Sequence, residues 1–232
     1  MFTIPRDHVK TLYLREELTQ HRSGHVLKAP FKVERILQLD KFDEDDIVLD
    51  VGCARGYVLD GLASRIRFGV GVDINVAALE KAKRRDRTGF ILCDAEELPL
   101  RDETFSKTIC LDILEHSENP NRILREIKRV LSEGQKLLVQ VPSSGLVGRL
   151  LPTCLQQGHL RYYTIDKICE ELVKNGFVIS DVKTYNSVPF STLMLTTKKK
   201  RAFQTLSILL NKIPSKSYLW FGSILIKALK TK

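Results

Sequence analysis

The chain has 232 residues, of which 43% are hydrophobic, and it carries a formal net charge of +9. This length fits one large α/β domain with additions, and the hydrophobic content excludes a disordered chain. The positive charge favours acidic partners such as nucleic acid, anionic lipid or a phosphorylated substrate, but it does not select among them.

The cysteines and the apolar segments indicate in which cellular compartment we expect the protein. The five cysteines are an odd number and form no CxxC pair, which argues against a disulfide framework. The first residues turn charged at Arg6-Asp7, so they lack the apolar core of a signal peptide. No uncharged apolar run reaches the roughly 20 residues that span a bilayer. We therefore expect a cytoplasmic protein.

Apolar runs that alternate with amphipathic stretches predict strands and helices in turn along the chain. The predicted strands are 47–51, 68–73, 89–93, 106–112, 136–141 (ended by Pro142) and 177–184. The predicted helices are 7–20, 30–41, the stretch from Gly56, 75–85, 119–134 and 164–176, with Asn75, Asn119 and Thr164 as N-caps. This alternation predicts an α/β fold with a doubly wound parallel sheet.

Acidic residues follow three of these strands at the point where each strand ends. Asp50 precedes the tight turn Gly52-Cys53-Ala54-Arg55-Gly56, Asp73 ends the second strand, and Asp94 follows the third. The carboxyl ends of parallel strands are where open α/β sheets bind ligands. The three acids therefore predict one polar ligand that is held at several points.

Two ligand classes fit a glycine turn with an acid some 20 residues further on: a dinucleotide and S-adenosylmethionine. A dinucleotide site requires G-x-G-x-x-G, so that a helix N-terminus faces the pyrophosphate. The turn at residues 52–56 lacks that spacing. A carboxylate at Asp50 would also repel a pyrophosphate, whereas it suits an ammonium group.

Over residues 45–180 the sequence resembles the class I S-adenosylmethionine-dependent methyltransferases. Four stretches carry the resemblance, in the family's order: 49–56, 72–74, 93–95 and 105–116. The resemblance implies a Rossmann-like methyltransferase fold, in which the seven-stranded sheet is mostly parallel and its last strand is antiparallel. It also implies S-adenosyl-L-methionine as the cofactor.

The resemblance implies a role for each motif. The turn wraps the methionine end of the cofactor, Asp73 takes both ribose hydroxyls, Asp94 accepts from the adenine amino group, and strand four contacts the cofactor. The implied cofactor-binding residues are Asp50, Gly52, Cys53, Gly56, Asp73, Ile74, Asp94, Ala95, Leu111 and Asp112. Two positions depart from the family pattern. Ala54 replaces the middle glycine, which is tolerable if its φ stays negative, and Ser106 replaces an acid and is interpreted as structural.

His116 is the first candidate for contact with the methyl acceptor, because it leaves the fourth strand beside the cofactor. It could accept a proton from a hydroxyl or amine nucleophile. The stretch Asp112 to His116 resembles quinone-biosynthesis O-methyltransferases, some of which bind a divalent metal through an acid-x-x-Glu-His group. Glu115 and His116 could instead only hold the loop. We assign no metal site on this basis, and the three alternatives stay open.

A second candidate for the acceptor pocket is the segment 158–164. In the resembled family this segment lies over the substrate, so His159, Arg161 and Tyr162 could contact the acceptor. We include His159 and Tyr162 with His116 as candidate catalytic residues. The alternative is that Tyr163 only packs and Thr164 only caps a helix.

The segment after residue 185 contains an apolar helical stripe (Phe203, Leu206, Leu209, Leu210 and Ile213) close to the basic run 198–201. We predict a helical insertion or lid at 186–217 and a last strand within 218–232. This helix could cover a lipophilic substrate or make peripheral contact with an anionic membrane. The whole chain would then be one domain, with N-terminal helices at 1–41 and a cofactor-binding core at 45–185.

The sequence therefore predicts methyl transfer to oxygen, nitrogen or carbon of a small, lipophilic molecule. One alternative is an RNA or protein methyltransferase that uses the basic surface, and nucleic acid is not excluded as a partner. The stretch after strand four lacks the Asn/Asp-Pro-Pro-aromatic tetrapeptide of base-amine methyltransferases. Another alternative is a catalytically silent binding protein, against which the intact acids argue.

Overall fold

A single sheet organises the computed structural model, which describes residues 23–82, 85–143, 159–186 and 222–231. The predicted helix 7–20 and nearly all of the predicted insertion 186–217 lie outside these residues. The elements are α1 (Ser23–Leu39), β1 (Ile47–Val51), α2 (Tyr57–Leu62), β2 (Phe68–Asp73), α3 (Val76–Leu79), β3 (Thr88–Leu92), β4 (Phe105–Leu111), α4 (Pro120–Val130), β5 (Leu131–Ser143), α5 (Ile165–Lys174), β6 (Phe177–Asn186) and β7 (Gly222–Lys230).

The described strands form a seven-stranded sheet in the order β3-β2-β1-β4-β5-β7-β6. The first five strands in this order are parallel, while β7 runs antiparallel to both β5 and β6. This confirms the predicted Rossmann-like sheet and its antiparallel last strand. Strand order reverses between β1 and β4, which is where such sheets leave a crevice for a ligand.

Strand β1 is buried on both faces, as its uninterrupted apolar sequence predicts. Val48 packs into one core with Ile36 and Leu59, on the side of α1 and α2. Leu49 points the other way, into the larger core on the side of α4 and α5. Because β1 cannot shift its register without exposing one of these faces, its last residues are fixed at the crevice.

A charged network stabilises the amino ends of β1 and β4, at the far side of the sheet from the crevice. Lys107 makes a close ion pair with Asp46, and it lies 4.0 Å from Asp40. The Ser106 hydroxyl donates to Asp46 (2.8 Å) and accepts from the backbone N–H of Ile47 (3.0 Å). Ser106 therefore has the structural role that the sequence indicated.

The three predicted N-cap residues all stand at the N-cap positions of their helices. The side chains of Asn75 and Thr164 accept from the backbone N–H of Ala78 and Lys167, respectively. The side chain of Asn119 makes no such capping hydrogen bond to α4. Pro120 at the first helical position needs no capping of its own, because it has no N–H.

Three predicted helices have different bounds from those expected. α4 ends at Val130 rather than at Gly134, because β5 already begins at Leu131, which pairs with Phe105 of β4. α3 ends at Leu79 rather than near Arg85, because the N–H groups of Lys81 and Ala82 bond to carbonyls only three residues back and tighten the chain into a turn. α1 begins at Ser23, before Pro30, and ends at Leu39.

Pro142 does not end β5, which continues to Ser143. Beyond Gln140 the neighbouring strand β4 has already ended, since Leu111 is the last residue of β4 to pair with β5. The carbonyl of Pro142 accepts from Tyr163 N–H (3.3 Å) instead of from a strand. Proline is tolerated here because no neighbouring strand needs its missing N–H.

None of the described helices is both long and apolar enough to cross a membrane. The described cysteines, Cys53, Cys93, Cys110 and Cys169, are all free thiols.

Candidate functional site

The candidate site lies at the carboxyl ends of β1, β2 and β4, and the turn after β1 forms its floor. The N–H groups of Gly52 and Cys53 both donate to the carbonyl of Val72 (2.8 and 3.0 Å), which ties the turn to β2. Gly52 and Gly56 adopt φ of +72° and +67°. A Cβ at Gly52 would overlap the side chain of Ile113, so only glycine fits this position.

Ala54 does not meet the condition that the sequence placed on it. Its φ is +47°, in the left-handed region, where an L-residue with a Cβ pays about 1–2 kcal/mol. Its N–H donates to Asp73 Oδ2 at 2.7 Å, a short charge-assisted hydrogen bond that offsets part of this strain. The first motif is therefore held in its turn partly by the acid of the second motif.

Asp73 has acceptor capacity left after these backbone contacts. Its Oδ1 accepts from Asn75 N–H at 2.8 Å and its Oδ2 from Ala54 N–H. Burial raises the pKa of Asp73, and the backbone N–H groups of Asn75 and Ala54 oppose that rise. Each carboxylate oxygen can accept a second hydrogen bond, so the side chain can take a pair of adjacent hydroxyls.

Asp50 is the most deeply buried acid on the cofactor side, with 3% of its surface exposed. Its Oδ2 makes no hydrogen bond within the described residues. Burial raises the pKa of Asp50 to about 7; Lys32 opposes this rise and Asp73 adds to it. A buried carboxyl oxygen without a partner is costly, and a cationic ligand would satisfy it.

Asp112 also has a left-handed backbone, with φ of +58°. Its N–H donates to the Gln140 carbonyl (2.9 Å), and both of its carboxylate oxygens accept from Gln140 Nε2 (3.0 Å). Lys32 Nζ lies 2.7 Å from Asp112 Oδ2. Gln140 thus holds the strained turn at the end of β4, and Lys32 balances its charge.

Three predicted cofactor positions follow β2 and β3. Asp94 accepts from Glu96 N–H at 3.0 Å, in a turn that follows β3. Ile74 and Ala95 come directly after Asp73 and Asp94, and Ala95 packs partly against the larger core. The structure therefore brings the predicted cofactor residues to one edge of the sheet.

Glu115, in the loop after β4, has a fully buried side chain. Neither of its carboxylate oxygens makes a hydrogen bond within the described residues. Burial and the neighbouring charge of Asp112 raise the pKa of Glu115 well above its usual range. His116 Nε2 lies 3.9 Å from Glu115 Oε1.

The ring of His116 contacts His159 from the segment after β5, and His159 in turn contacts Tyr162. The rings of His116 and His159 are 4.7 Å apart in an edge-to-face contact, and those of His159 and Tyr162 are 5.2 Å apart. The structure thus brings together the three candidate catalytic residues, although they come from two segments separated by more than 40 positions.

Arg161 has a different role from the one that the sequence suggested. Its guanidinium donates to the carbonyls of Leu114 (3.1 Å), Ser117 and Glu118 (3.4 Å). Leu160 N–H donates to the Glu115 carbonyl at 2.8 Å. These contacts clamp the segment 159–161 to the loop that carries His116, so Arg161 is a positioning residue here.

Tyr163 and Thr164 have the structural roles that the sequence analysis gave as alternatives. Tyr163 is 1% exposed and packs into the larger core, and Thr164 caps α5. This segment therefore packs into the core and caps a helix, while His159 and Tyr162 lie beside His116.

The donor set for a metal differs from the one that the resemblance implied. Asp112 is engaged by Lys32 and Gln140. Glu115, His116 and His159 instead each offer one ligand atom, and these atoms lie within 4.8 Å of one another. Two imidazoles and a carboxylate fit a transition metal such as zinc or iron better than magnesium.

Sequence reasoning missed Lys32 and Gln140. Lys32 comes from α1, more than 10 residues before the first motif, and no local pattern distinguishes it from other helix lysines. Gln140 is a buried polar residue, 3% exposed, in an otherwise apolar strand. That interruption of the apolar run is the one signal that could have marked it.

Comparisons with known proteins place this domain among methyltransferase-like proteins. Residues 49–139 match a family model described as a methyltransferase domain. A probable S-adenosylmethionine-dependent methyltransferase of Mycobacterium tuberculosis is 29% identical over 132 residues, which are 56% of this chain and 48% of that protein. The chain thus spans about half the length of this relative.

Solved structures share the fold. The phosphoethanolamine N-methyltransferase 2 of Haemonchus contortus, crystallised with S-adenosyl-L-methionine, has a TM-score of 0.63 at 20% identity, over 85% of this chain and 51% of that one. The YcgJ protein of Bacillus subtilis has a TM-score of 0.67 at 18% identity, over 86% of this chain and 98% of that one. At these identities the likeness shows the fold alone.

Proposed function

We propose that this chain, whose residues 49–139 match a methyltransferase-domain family model, is a class I S-adenosylmethionine-dependent methyltransferase that transfers the methyl group of that cofactor to a small, lipophilic molecule. The observation that carries the proposal is the pairing of two neighbouring sites at one sheet edge. The acids after β1, β2 and β3 form one site, and the cluster of Glu115, His116 and His159 forms the other.

The acids match the polar groups of the cofactor. Asp73 suits the ribose hydroxyls, Asp94 suits the adenine amino group, and Asp50 suits the α-ammonium group of the methionine end. A nicotinamide dinucleotide would bring a pyrophosphate against these carboxylates, with an electrostatic cost that the glycine turn cannot offset. The side chains therefore favour S-adenosylmethionine over NAD.

Methyl transfer is an in-line displacement at the sulfonium methyl. The acceptor atom forms a bond to the methyl carbon, the carbon–sulfur bond breaks, and its electron pair stays on sulfur to give S-adenosylhomocysteine. Because the cofactor is already activated, most of the rate acceleration can come from positioning the acceptor. His159 and Tyr162 would line the acceptor pocket, and His116 would take the proton of a hydroxyl or amine nucleophile.

A metal-assisted version uses the same residues. A divalent metal held by Glu115, His116 and His159 would act as a Lewis acid on an acceptor hydroxyl and favour its ionised form. Every protein group needed for it is in the cluster.

Two features of the sequence, rather than of the described structure, support the proposed acceptor class. His116 lies after β4 in the sequence Asp112-Ile113-Leu114-Glu115-His116, which differs from the tetrapeptide of base-amine methyltransferases. The segment 188–213, from which we inferred a lipophilic acceptor and peripheral membrane contact, lies outside the described residues. A cytoplasmic location and contact with an anionic membrane therefore remain proposals.

The proposal is tested by following a labelled methyl group. Purified protein is incubated with S-adenosylmethionine labelled on that methyl, together with a metabolite extract, total RNA or total protein. We expect label in the small-molecule fraction only. Label in RNA or protein would overturn the acceptor class, and cofactor binding without transfer to any fraction would favour the silent binding protein.

Cofactor affinity should depend on pH through Asp50. With a pKa of about 7, Asp50 holds a proton below pH 7 in the free protein, whereas the cofactor's ammonium favours the carboxylate. Binding then releases a proton, so affinity should rise by up to about tenfold per pH unit as pH approaches 7, and level off above it. It should fall again near pH 8, where an α-amino group loses its charge.

Calorimetry between pH 5.5 and 8.5 measures this profile. Asp50→Asn cannot titrate, so we expect it to remove the rise on the acid side and to leave the fall near pH 8. A rise of the same size in the Asp50→Asn variant would assign the titration to another group, such as Asp73.

A further inference from the structure

Lys32 presents an electrostatic problem, because its positive charge lies in a site where the proposed ligand, S-adenosylmethionine, is itself positively charged. S-adenosylmethionine carries positive charge on its sulfonium and on its α-ammonium group. Lys32 Nζ lies 2.7 Å from Asp112, at the end of β4, and its side chain is only 17% exposed. Bringing a second cation close to a largely desolvated lysine costs free energy unless a negative group of the ligand meets that lysine.

Lys32 is charged in this position. Burial acts to lower its pKa, but the carboxylate of Asp112, with smaller contributions from Asp50 and Glu115, outweighs burial and raises the pKa above its usual value. The positions of these three acids locate the ammonium of Lys32. Asp50 precedes the turn after β1, while Asp112 and Glu115 lie at the start of the loop after β4. The ammonium of Lys32 therefore lies between the cofactor side and the acceptor side of the site.

The cofactor has one group that none of the acids can bind. Its ribose, adenine and ammonium groups are hydrogen-bond donors, and each has a carboxylate at this edge. Its α-carboxylate is an acceptor and needs a donor or a cation. Arg161, the nearby arginine on the acceptor side, is already engaged by three carbonyls. Among the described lysines, Lys32 is paired with an acid of the site itself.

We propose that Lys32 binds the α-carboxylate of S-adenosylmethionine, so that α1 supplies the residue by which the site selects a ligand with an intact amino-acid end. The proposal rests on the proposed function for its ligand. The ammonium of lysine has three donors; one meets Asp112, and a second can donate to the carboxylate. Asp112 then acts through Lys32, which it orients while Gln140 holds Asp112 in turn.

The competing interpretation is that Lys32 only neutralises Asp112 and stabilises the packing of α1. The two roles differ in what they do to a ligand that lacks the carboxylate. A carboxylate-binding Lys32 strengthens binding of S-adenosylmethionine and opposes binding of its decarboxylated analogue, which has lost the anion but kept both positive charges. A merely structural Lys32 affects both ligands alike.

The experiment measures the affinity of both ligands for wild-type protein and for Lys32→Met by calorimetry. We expect wild-type protein to prefer S-adenosylmethionine by about tenfold or more, in line with a charge-assisted hydrogen bond. In Lys32→Met the affinity for S-adenosylmethionine should fall about tenfold, while that for the decarboxylated analogue should stay unchanged or rise. Lys32→Arg should keep the preference.

Lys41→Met is the matched control, because Lys41 is exposed just after α1 and the substitution removes the same charge. It should leave both affinities unchanged, and thermal unfolding checks that each variant is folded. Equal weakening of both ligands in Lys32→Met, or no change in either, would overturn the proposal and leave the proposed function intact. If wild-type protein bound neither ligand, the proposed function itself would fail.

Discussion

Replacing His116 with asparagine is expected to lower turnover about 100-fold or more, the usual contribution of a general base, while cofactor affinity stays near wild type. His116 belongs to the cluster with Glu115 and His159, and its ring lies 4.7 Å from that of His159. The acid proposed to bind the ribose, Asp73, lies instead at the end of β2. Turnover is measured with the acceptor that the methyl-labelling experiment identifies, and cofactor affinity is measured by calorimetry.

His159→Asn is the matched control for this prediction. If His159 only lines the pocket, its loss should raise the KM for the acceptor and change kcat by no more than a few-fold. Unchanged turnover in His116→Asn would leave His116 with a structural role alone. Loss of wild-type activity on chelation, restored by a divalent metal, would instead favour the metal-assisted version, in which His116→Asn and His159→Asn should fail alike.

Replacing Asp73 with alanine is expected to weaken cofactor binding by about 1–3 kcal/mol, which corresponds to roughly a 5- to 150-fold rise in Kd. Two charge-assisted hydrogen bonds to the ribose would be lost. The substitution also removes the acceptor for Ala54 N–H, on which the left-handed turn at Ala54 depends. We therefore expect a small loss of thermal stability in addition to the loss of affinity.

Asp73→Asn separates these two effects, because an amide keeps one oxygen acceptor but loses the charge; it should fall between wild type and Asp73→Ala. Asp86→Ala is the control, since Asp86 is an exposed acid in the loop before β3. It should leave both affinity and stability unchanged. Wild-type affinity in Asp73→Ala would show that the ribose is bound elsewhere.

The sheet could be predicted from the sequence because its strands are marked locally. β1 and β2 have the predicted bounds, since apolar runs buried on both faces end abruptly at Asp50 and Asp73. Local sequence patterns gave wrong element bounds where tertiary contacts determine where a strand or helix ends. Pro142 continues β5 because β4 has already ended beside it, and α3 stops early although its sequence remains compatible with a helix.

The candidate site shows the same difference between residues that the sequence could predict and residues that it could not. Its acids could be predicted because they follow strands, and parallel strands bring their ends together. Lys32 and Arg161 could not, because their roles come from partners distant in the chain: Asp112 for Lys32, and the carbonyls of residues 114–118 for Arg161. The sequence does not predict the positive φ of Ala54, because alanine rarely adopts the left-handed backbone conformation and no neighbouring residue marks it.

The central claim, that the edge beside β1 and β4 binds S-adenosylmethionine, is tested most directly by calorimetry on the wild-type protein. S-adenosylmethionine, S-adenosylhomocysteine and NAD are titrated separately into protein shown to be folded by its thermal unfolding transition. We expect saturable binding at one site per chain for the first two compounds and no heat of binding for NAD. Folded protein that gives no heat with S-adenosylmethionine or S-adenosylhomocysteine, or that binds NAD instead, would contradict the claim.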